Sequence, residues 1–374
     1  MRIGIDARML GPHTGGLGRY TLELVRHLEK LETRHEYVIF LRQDNWHRCE
    51  PATAYMRKAL LNVPWYSIEE QLRVGAILQK EHVDLMHFPH WNVPLFYRKP
   101  FVVTIHDLIM WHFPREEAST HGPLVYWLKD AASRLVVRSA ARRAKHILTT
   151  SEYTKNDIHE TLGVGKERMT VTYQAPFEEI SRFRDFEISK LGVTKPYVLY
   201  VGNAYPHKNL GRLVDAWQIV EEKTHGAYQL VLVGKENYFY EKLSRNIQKS
   251  GRHGVVLTGF VEDHTLEALY ANARLYVAPS MYEGFALSAL EAIARGIPVV
   301  ASSASCFPEV LGESALYVHP ENVLQIADAL CAVLDNESLR AELRERGVEE
   351  LKRYSWESLA RRTLHVYEAA GRAS

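Results

Sequence analysis

The sequence predicts an α/β protein: two doubly wound, parallel-sheet domains facing each other across a cleft. Three observations lead there. At 374 residues the chain is too long for one ordinary core. Each half alternates short apolar, strand-like runs with segments of helical spacing, the signature of parallel sheets wound with helices. The segments rich in Gly, His, Lys and Glu follow strands, at the carboxyl ends where open α/β sheets bind ligands.

In the first half, Arg2 to Ala7 is strand-like, and Leu17, Leu24, Val25, Leu28 and Leu31 give the next segment a helical spacing. Strands follow at Tyr37 to Leu41, Asp84 to Phe88, Phe101 to Ile105 and His146 to Thr150, with a helix at Ile68 to Lys80. Ser151 is an N-cap for the helix after it, and Val171 to Tyr173 closes the half. Mixed charge and weak periodicity mark Gln174 to Pro196 as the linker. The second half places strands at Tyr197 to Val201, Gln229 to Val233, Val255 to Thr258, Leu275 to Ala278 and Val299 to Ala301, with helices such as Asn209 to Glu222 and Leu266 to Asn272. The tail from Ser355 is amphipathic. The expected domains are residues 1–180, 190–354 and a final helix within 355–374.

The bulk numbers exclude several classes. With 46% hydrophobic and 24% charged residues the chain reads as a globular protein. A net charge of +1 argues against nucleic acid as a main partner. Cys49, Cys306 and Cys331 are scattered without CxxC spacing, so neither a disulfide framework nor a zinc site is indicated, and a reducing cytoplasm fits. The N-terminus runs straight into a strand without a signal peptide, and no apolar run nears the roughly 20 residues of a membrane helix. Membrane contact is therefore expected to be peripheral, at most.

The densest functional signal is Pro279-Ser280-Met281-Tyr282-Glu283-Gly284-Phe285-Ala286-Leu287, continuing to Glu291. Glu283 follows the strand Leu275 to Ala278, and Gly284 permits a tight turn. A helix then opens with the N–H groups of Gly284 to Leu287 available for a phosphate. Glu291 lies two turns further on. A phosphate seat between two carboxylates suits a nucleotide sugar. This segment resembles the Glu-x7-Glu motif of retaining glycosyltransferases of family 4, and the alternation of elements resembles their GT-B fold over nearly the whole chain. The resemblance implies that Glu283 contacts the transferred sugar, Glu291 the ribose, and the intervening amides of Gly284, Phe285, Ala286 and Leu287 the diphosphate. It also implies that Trp356 to Ala370 crosses back onto the N-terminal domain.

Other segments extend this reading. Gly15-Gly16-Leu17-Gly18-Arg19 resembles the family's glycine loop, facing the donor diphosphate and the acceptor. Lys208, in a loop after a strand, can neutralise a leaving diphosphate. The family places an Arg where this chain has Asn203, which removes a cation; Asn203 then donates a neutral hydrogen bond, or Arg19 compensates. Phe260 and Val261 stand where the family contacts the nucleobase through backbone. His106-Asp107 follows a strand, and the resemblance puts His106 near the transferred sugar, for binding or as a base. His90 and Trp91 suggest an acceptor loop with an aromatic platform, and Asp107 joins them there. His87, His90, His106 and His112 could be read as a metal cluster, but Pro89 breaks any helix, no HExxH accompanies them, and GT-B enzymes generally need no metal. Arg134, Arg138 and Arg142, within the basic stretch 129–145, form a stripe that is either solvated or suited to anionic lipid.

The expectation is thus a metal-independent retaining glycosyltransferase without cofactor, using a nucleotide-sugar co-substrate. The Gly-Asn-x-x-Pro-His-Lys-Asn pattern resembles bacterial polysaccharide mannosyltransferases, pointing to GDP-mannose, with a glycan or lipid-linked glycan accepting. It would act in the cytoplasm or on the inner face of the membrane. Alternatives are a UDP-sugar donor, a nicotinamide-dependent oxidoreductase using Gly15–Gly18, a sugar-nucleotide binder without catalysis, and a GT-B epimerase. The oxidoreductase would need an acidic residue ending the second strand, where only Asp44 stands, and it leaves Glu283 and Glu291 unexplained.

Overall fold

The computed structural model describes all residues except 12–14, 32, 115–122, 178–186, 250–253 and 373–374. The chain forms two compact units: Met1–Trp111, His121–Gln174 and Ser355–Ser374 in the first, His112–Thr120 and Ala175–Tyr354 in the second.

Among the described residues the first unit carries β1 (Arg2–Asp6), β2 (Glu36–Leu41), β3 (Met56–Leu60), β4 (Leu85–Phe88), β5 (Phe101–Ile105), β6 (His146–Thr149) and β7 (Met169–Val171). They pair in parallel in the order β3-β2-β1-β4-β5-β6-β7. Around them lie α1 (Gly16–Glu29), α2 (Ile68–Lys80), α3 (Ile109–His112), α4 (Pro123–Arg143) and α5 (Glu152–Leu162). The central strands β4 and β5 are buried along their whole length, which is why they read as unbroken apolar runs rather than alternating ones. Ser151 caps α5, its hydroxyl accepting from the Thr154 N–H, and Ser67 caps α2 in the same way.

The second unit carries β8 (Tyr197–Val201), β9 (Gln229–Val233), β10 (Val255–Gly259), β11 (Leu275–Ala278), β12 (Val299–Ser302) and β13 (Ala315–Val318), parallel, in the order β10-β9-β8-β11-β12-β13. Its helices are α6 (Leu210–Lys223), α7 (Tyr238–Lys249), α8 (Asp263–Asn272), α9 (Leu287–Ala294), α10 (Phe307–Leu311), α11 (Val323–Asp335) and α12 (Glu337–Leu351). Trp217, Leu230, Leu232, Val277 and Leu330 sit at its core.

The last helix, α13 (Trp356–Arg372), packs on α1, β4, β5 and β6 of the first unit. Its Tyr367 hydroxyl lies 2.6 Å from His87 Nδ1, and its Arg362 donates to the Val171 carbonyl at 3.2 Å.

Sequence reading and structure part company at sheet edges. β3 and β13 went unrecognised, and the strand expected at Val171 to Tyr173 is Met169–Val171. All three are outermost strands. A strand with a neighbour on one side only needs less apolar surface, and the Met-Arg-Lys-Ala-Leu of β3 shows the charge that edges tolerate.

Candidate active site

In the second unit β8 and β11 are neighbours although β9 and β10 lie on the far side of β8, so the strand order reverses there. The loops leaving two such strands diverge and open a crevice. Asn209 knits these loops together. It adopts a left-handed conformation (φ 62°), and its amide donates to the carbonyls of Pro279 at 3.0 Å and Pro320 at 2.6 Å. The Met281 N–H donates to the His207 carbonyl at 2.7 Å.

This framework brings Lys208, from the loop after β8, onto Glu283, from the loop after β11. Lys208 Nζ is 2.5 Å from Glu283 Oε1, and the Ser280 hydroxyl donates to the same oxygen at 2.8 Å. The Glu283 N–H is held by Ser305 Oγ at 3.1 Å. Both side chains of the pair are 16% exposed, so the pair is wetted at one side. They line a partly open cavity with Tyr200, Tyr276 and the first residues of α9. A cation, a carboxylate and a helix N-terminus thus converge on one space, which can take a phosphate and hydroxyl groups together.

The start of that helix corrects the sequence reading. α9 begins at Leu287, not directly after Glu283. Its N-cap is Ala286, at φ 53° and ψ 35°, a left-handed conformation costing a non-glycine residue roughly 1–2 kcal/mol. The left-handed residue is therefore Ala286 and not Gly284. Gly284 and Phe285 belong to the loop before the N-cap, so the helix itself begins at Leu287. Glu291 consequently sits one turn into α9 rather than two. It is buried, its Oε2 3.5 Å from the Tyr270 hydroxyl, and it is not among the cavity's lining residues.

Asn203 acts within its own loop: Oδ1 accepts from the Tyr205 N–H at 3.2 Å, and its carbonyl accepts from the Tyr200 hydroxyl at 2.7 Å. Phe260 follows Gly259 at the end of β10 and is 64% exposed; Val261 is half-buried.

In the first unit the order reverses between β1 and β4. Gly15 is the N-cap of α1 at φ 60° and ψ −136°, backbone angles suited to glycine alone. A Cβ on Gly15 or Gly16 would meet open space, so the strain and not crowding selects glycine at residue 15. Arg19 lies half-buried on α1. His106, after β5, donates from Nε2 to the Pro89 carbonyl at 2.9 Å. Burial lowers its pKa to about 4 against the raising effect of that bond, so the ring is neutral and Nδ1 is its unprotonated nitrogen. His90 Nε2 lies 2.7 Å from the Tyr66 hydroxyl, and burial, then His106, lowers its pKa to about 3. Trp91 packs against Tyr66 and His90 at ring-centre distances of 5.4 and 4.6 Å. Asp107 Oδ1 accepts from the Ile109 N–H at 3.0 Å.

His87 is wholly buried, with the Tyr367 hydroxyl on Nδ1 and Thr104 Oγ1 2.8 Å from Nε2, so both ring nitrogens serve the core. Among the described residues no group of three or more His, Cys, Asp or Glu side chains is arranged to hold a metal.

The basic stripe of α4 is divided by the fold. Arg134 pairs with Asp130 at 2.6 Å and lies over the Trp111 ring at 5.0 Å, where Arg138 also reaches. Arg143 donates to the carbonyls of Leu95 and Tyr97. Lys129, Arg138 and Arg142 are exposed, together with Trp127, Leu128 and Leu135. Among the described residues no helix is long and apolar enough to cross a membrane.

Sequence reasoning passed over Ser280, Ser305, Asn209 and the buried cluster Asp6, Arg8 and Glu70. Ser280 stands three residues before Glu283, a spacing of capping type that could have marked it. Ser305 arrives from the next strand's loop, and nothing local signals that meeting.

Comparison with known proteins closes the argument. A family model described as Glycosyltransferase Family 4 matches residues 14–175, and one described as Glycosyl transferases group 1 matches residues 181–350. The O-antigen chain mannosyltransferase B of Escherichia coli is 28% identical over 94% of this chain and 96% of its own. The MMP alpha-(1->4)-mannosyltransferase of Mycolicibacterium hassiacum is 30% identical over 72% of this chain and 66% of its own. Sucrose-phosphate synthase from Thermosynechococcus elongatus has a TM-score of 0.74 at 18% identity, covering 100% of both chains. HepE from Anabaena, solved in complex with UDP and glucose, also reaches 0.74 at 18% identity, over 99% of this chain and 100% of its own. At such identity these structures speak for the fold. With the two family models between them spanning most of its length, the chain belongs to the GT-B glycosyltransferases of family 4 and group 1, and it is an enzyme related to bacterial mannosyltransferases.

Proposed function

We infer that this enzyme is a retaining mannosyltransferase that moves mannose from GDP-mannose to a hydroxyl of a glycan or lipid-linked glycan. The observation that carries the reading is the Lys208–Glu283 pair at the amino end of α9. Without donor, each group neutralises the other. With donor, Lys208 turns to the diphosphate and Glu283 to the hydroxyls of the sugar, while the first amides of α9 cradle the phosphates. Glu291, further along α9, takes the ribose diol. Phe260 and Val261 lie at the base, and Gly15, Gly16 and Arg19 supply the glycine-loop contacts. The anomeric C–O bond to phosphate breaks with its electron pair leaving on the diphosphate. The acceptor oxygen bonds to the same face, and its proton passes to a diphosphate oxygen. His106, neutral at physiological pH, serves as a hydrogen-bonding group to the sugar and not as a proton donor.

Mannose is favoured because the O-antigen chain mannosyltransferase B of Escherichia coli, matched over nearly its whole length, and two further relatives matched over about two thirds of theirs or more are named mannosyltransferases. A UDP-sugar donor is the second reading, favoured by a fold neighbour solved with UDP and glucose. In either case Lys208 and α9 carry the leaving-group charge, so neither metal nor cofactor takes part, and chelator leaves the rate unchanged. The exposed Trp127, Leu128, Leu135, Arg138 and Arg142 of α4 suit the surface of an anionic membrane, as a lipid-linked acceptor would require. We place the enzyme in the cytoplasm, touching that surface.

Thermal-shift titration with GDP-, UDP-, ADP- and dTDP-sugars, followed by measuring labelled sugar transfer to lipid-linked glycan, tests the reading. GDP-mannose should raise the melting temperature most. Stabilisation by none of the four would end the proposal.

A further inference from the structure

Glu291 is buried, and the side chains around it form a brace between α8 and α9. From α8, the Tyr270 hydroxyl reaches toward Glu291 Oε2 across 3.5 Å. Tyr270 is wholly buried, its ring stacked on Tyr276 with centres 6.1 Å and planes 21° apart. Tyr276 lines the cavity of Lys208 and Glu283, as does Ser288, which stands three residues before Glu291 and so shares its face of α9. The Arg295 guanidinium lies 4.6 Å from the centre of the Tyr270 ring. Through one tyrosine, the Glu291 carboxylate is thus joined to a wall of the cavity that it does not itself line.

The charges here depart from what the helix alone would favour. Glu291 and Arg295 stand four residues apart with the glutamate first, the spacing and order in which a helix promotes an ion pair. Arg295 nevertheless turns to α8. Its Nε donates to Glu267 Oε2 at 3.0 Å and its Nη2 to Glu267 Oε1. On its own helix, Nη1 donates to the Glu291 carbonyl at 2.9 Å. The side chains of Arg295 and Glu267 are 7% and 15% exposed, and a guanidinium so far from water is costly without a partner. Glu267 therefore occupies a cation that would otherwise close on the Glu291 carboxylate.

We propose that Tyr270, Glu267 and Arg295 are positioning residues for Glu291. The ion pair keeps the arginine off the carboxylate, and the tyrosine hydroxyl fixes the orientation in which that carboxylate meets the ribose diol of the donor. This rests on the reading that Glu291 takes the ribose, and all three residues act through Glu291.

The test is calorimetry on the full chain with GDP, 2′-deoxy-GDP, UDP and 2′-deoxy-UDP. The quantity read is the ratio of ribonucleotide to deoxyribonucleotide affinity, for whichever base binds tighter. The wild-type ratio should be about tenfold or more, the effect of one hydrogen bond to a charged group, and Glu291→Gln should bring it to about threefold or less. Tyr270→Phe keeps the ring and its contacts with Tyr276 and Arg295, and it should lower the ratio to the same level while deoxynucleotide affinity stays near wild type. Glu267→Gln leaves Tyr270 intact but releases Arg295 toward Glu291, and it should lower the ratio likewise. A purely structural defect would weaken both nucleotides in step and leave the ratio unchanged. Melting curves identify a variant that fails to fold, and the other then carries the test. The proposal is overturned if either folded variant keeps the wild-type ratio, or weakens both nucleotides in step, while Glu291→Gln removes the discrimination. A wild-type ratio near one, or a full ratio in Glu291→Gln, would instead take Glu291 away from the ribose and the proposal with it.

Discussion

Lys208 and Glu283 hold one another at 2.5 Å beside a partly open cavity, so a donor must exchange that contact for its own. Lys208→Ala should weaken nucleoside diphosphate binding by about 1.5–3 kcal/mol, the loss of a charge-assisted hydrogen bond; calorimetry giving wild-type affinity would remove the lysine from the phosphate. Glu283→Ala should abolish transfer yet leave nucleotide affinity equal or improved, because the lysine is released beforehand. Retained turnover in that variant would count against the carboxylate's role. His87 makes a different prediction. Burial holds its pKa near 3, against about 6.5 in the unfolded chain. The unfolded state therefore binds the extra proton first, and stability is lost as pH falls from 6.5 toward 3. Each such ring contributes at most about 1.4 kcal/mol per pH unit. Urea unfolding at pH 7 and pH 5 should show a drop that His87→Gln reduces; an unchanged pH slope would mean that the ring accommodates its charge.

At the scale of elements, α9 depends on its N-cap. Ala286 is buried as well as left-handed. Ala286→Gly should change stability little, since relieved strain and added unfolded-state entropy oppose each other. Ala286→Val should cost about 2 kcal/mol or more and weaken nucleotide binding, because a β-branched side chain resists positive φ. Thermal melts paired with GDP titration check both, and a valine variant of normal stability would refute the strain argument. Elements buried on both faces were readable to within a residue or two: Phe101–Ile105, Tyr197–Val201 and Gln229–Val233 fall where their apolar runs place them. Edge strands were read unevenly: the outermost β10 falls where Val255 to Thr258 places it, but β13 was missed and so was β3, which carries Arg57 and Lys58 in its run. The start of α9 was misplaced because helical spacing after Glu283 cannot reveal that Ala286 turns left-handed.

For the whole molecule, the last helix belongs to the first unit although the second unit precedes it in sequence. Trp356, Leu359 and Tyr367 are buried there, and Tyr367 meets His87 on β4. Tyr367→Phe should speed hydrogen exchange of amides in β4 and β5 while leaving β8 through β13 unaffected. Equal loosening of both sheets would mean that the helix stabilises the chain as one cooperative body.

By itself the sequence determined the alternation of strands and helices, the two-part division and the loops that carry Lys208 and Glu283, because apolar periodicity and strand-end position are written locally. Only the tertiary structure decided that these two side chains pair, that Ser280 and Ser305 brace them, and that Asp6, Arg8 and Glu70 form a buried ion cluster. Those contacts join residues up to 75 positions apart, and which groups meet is set by strand order and burial, neither of which any single segment encodes.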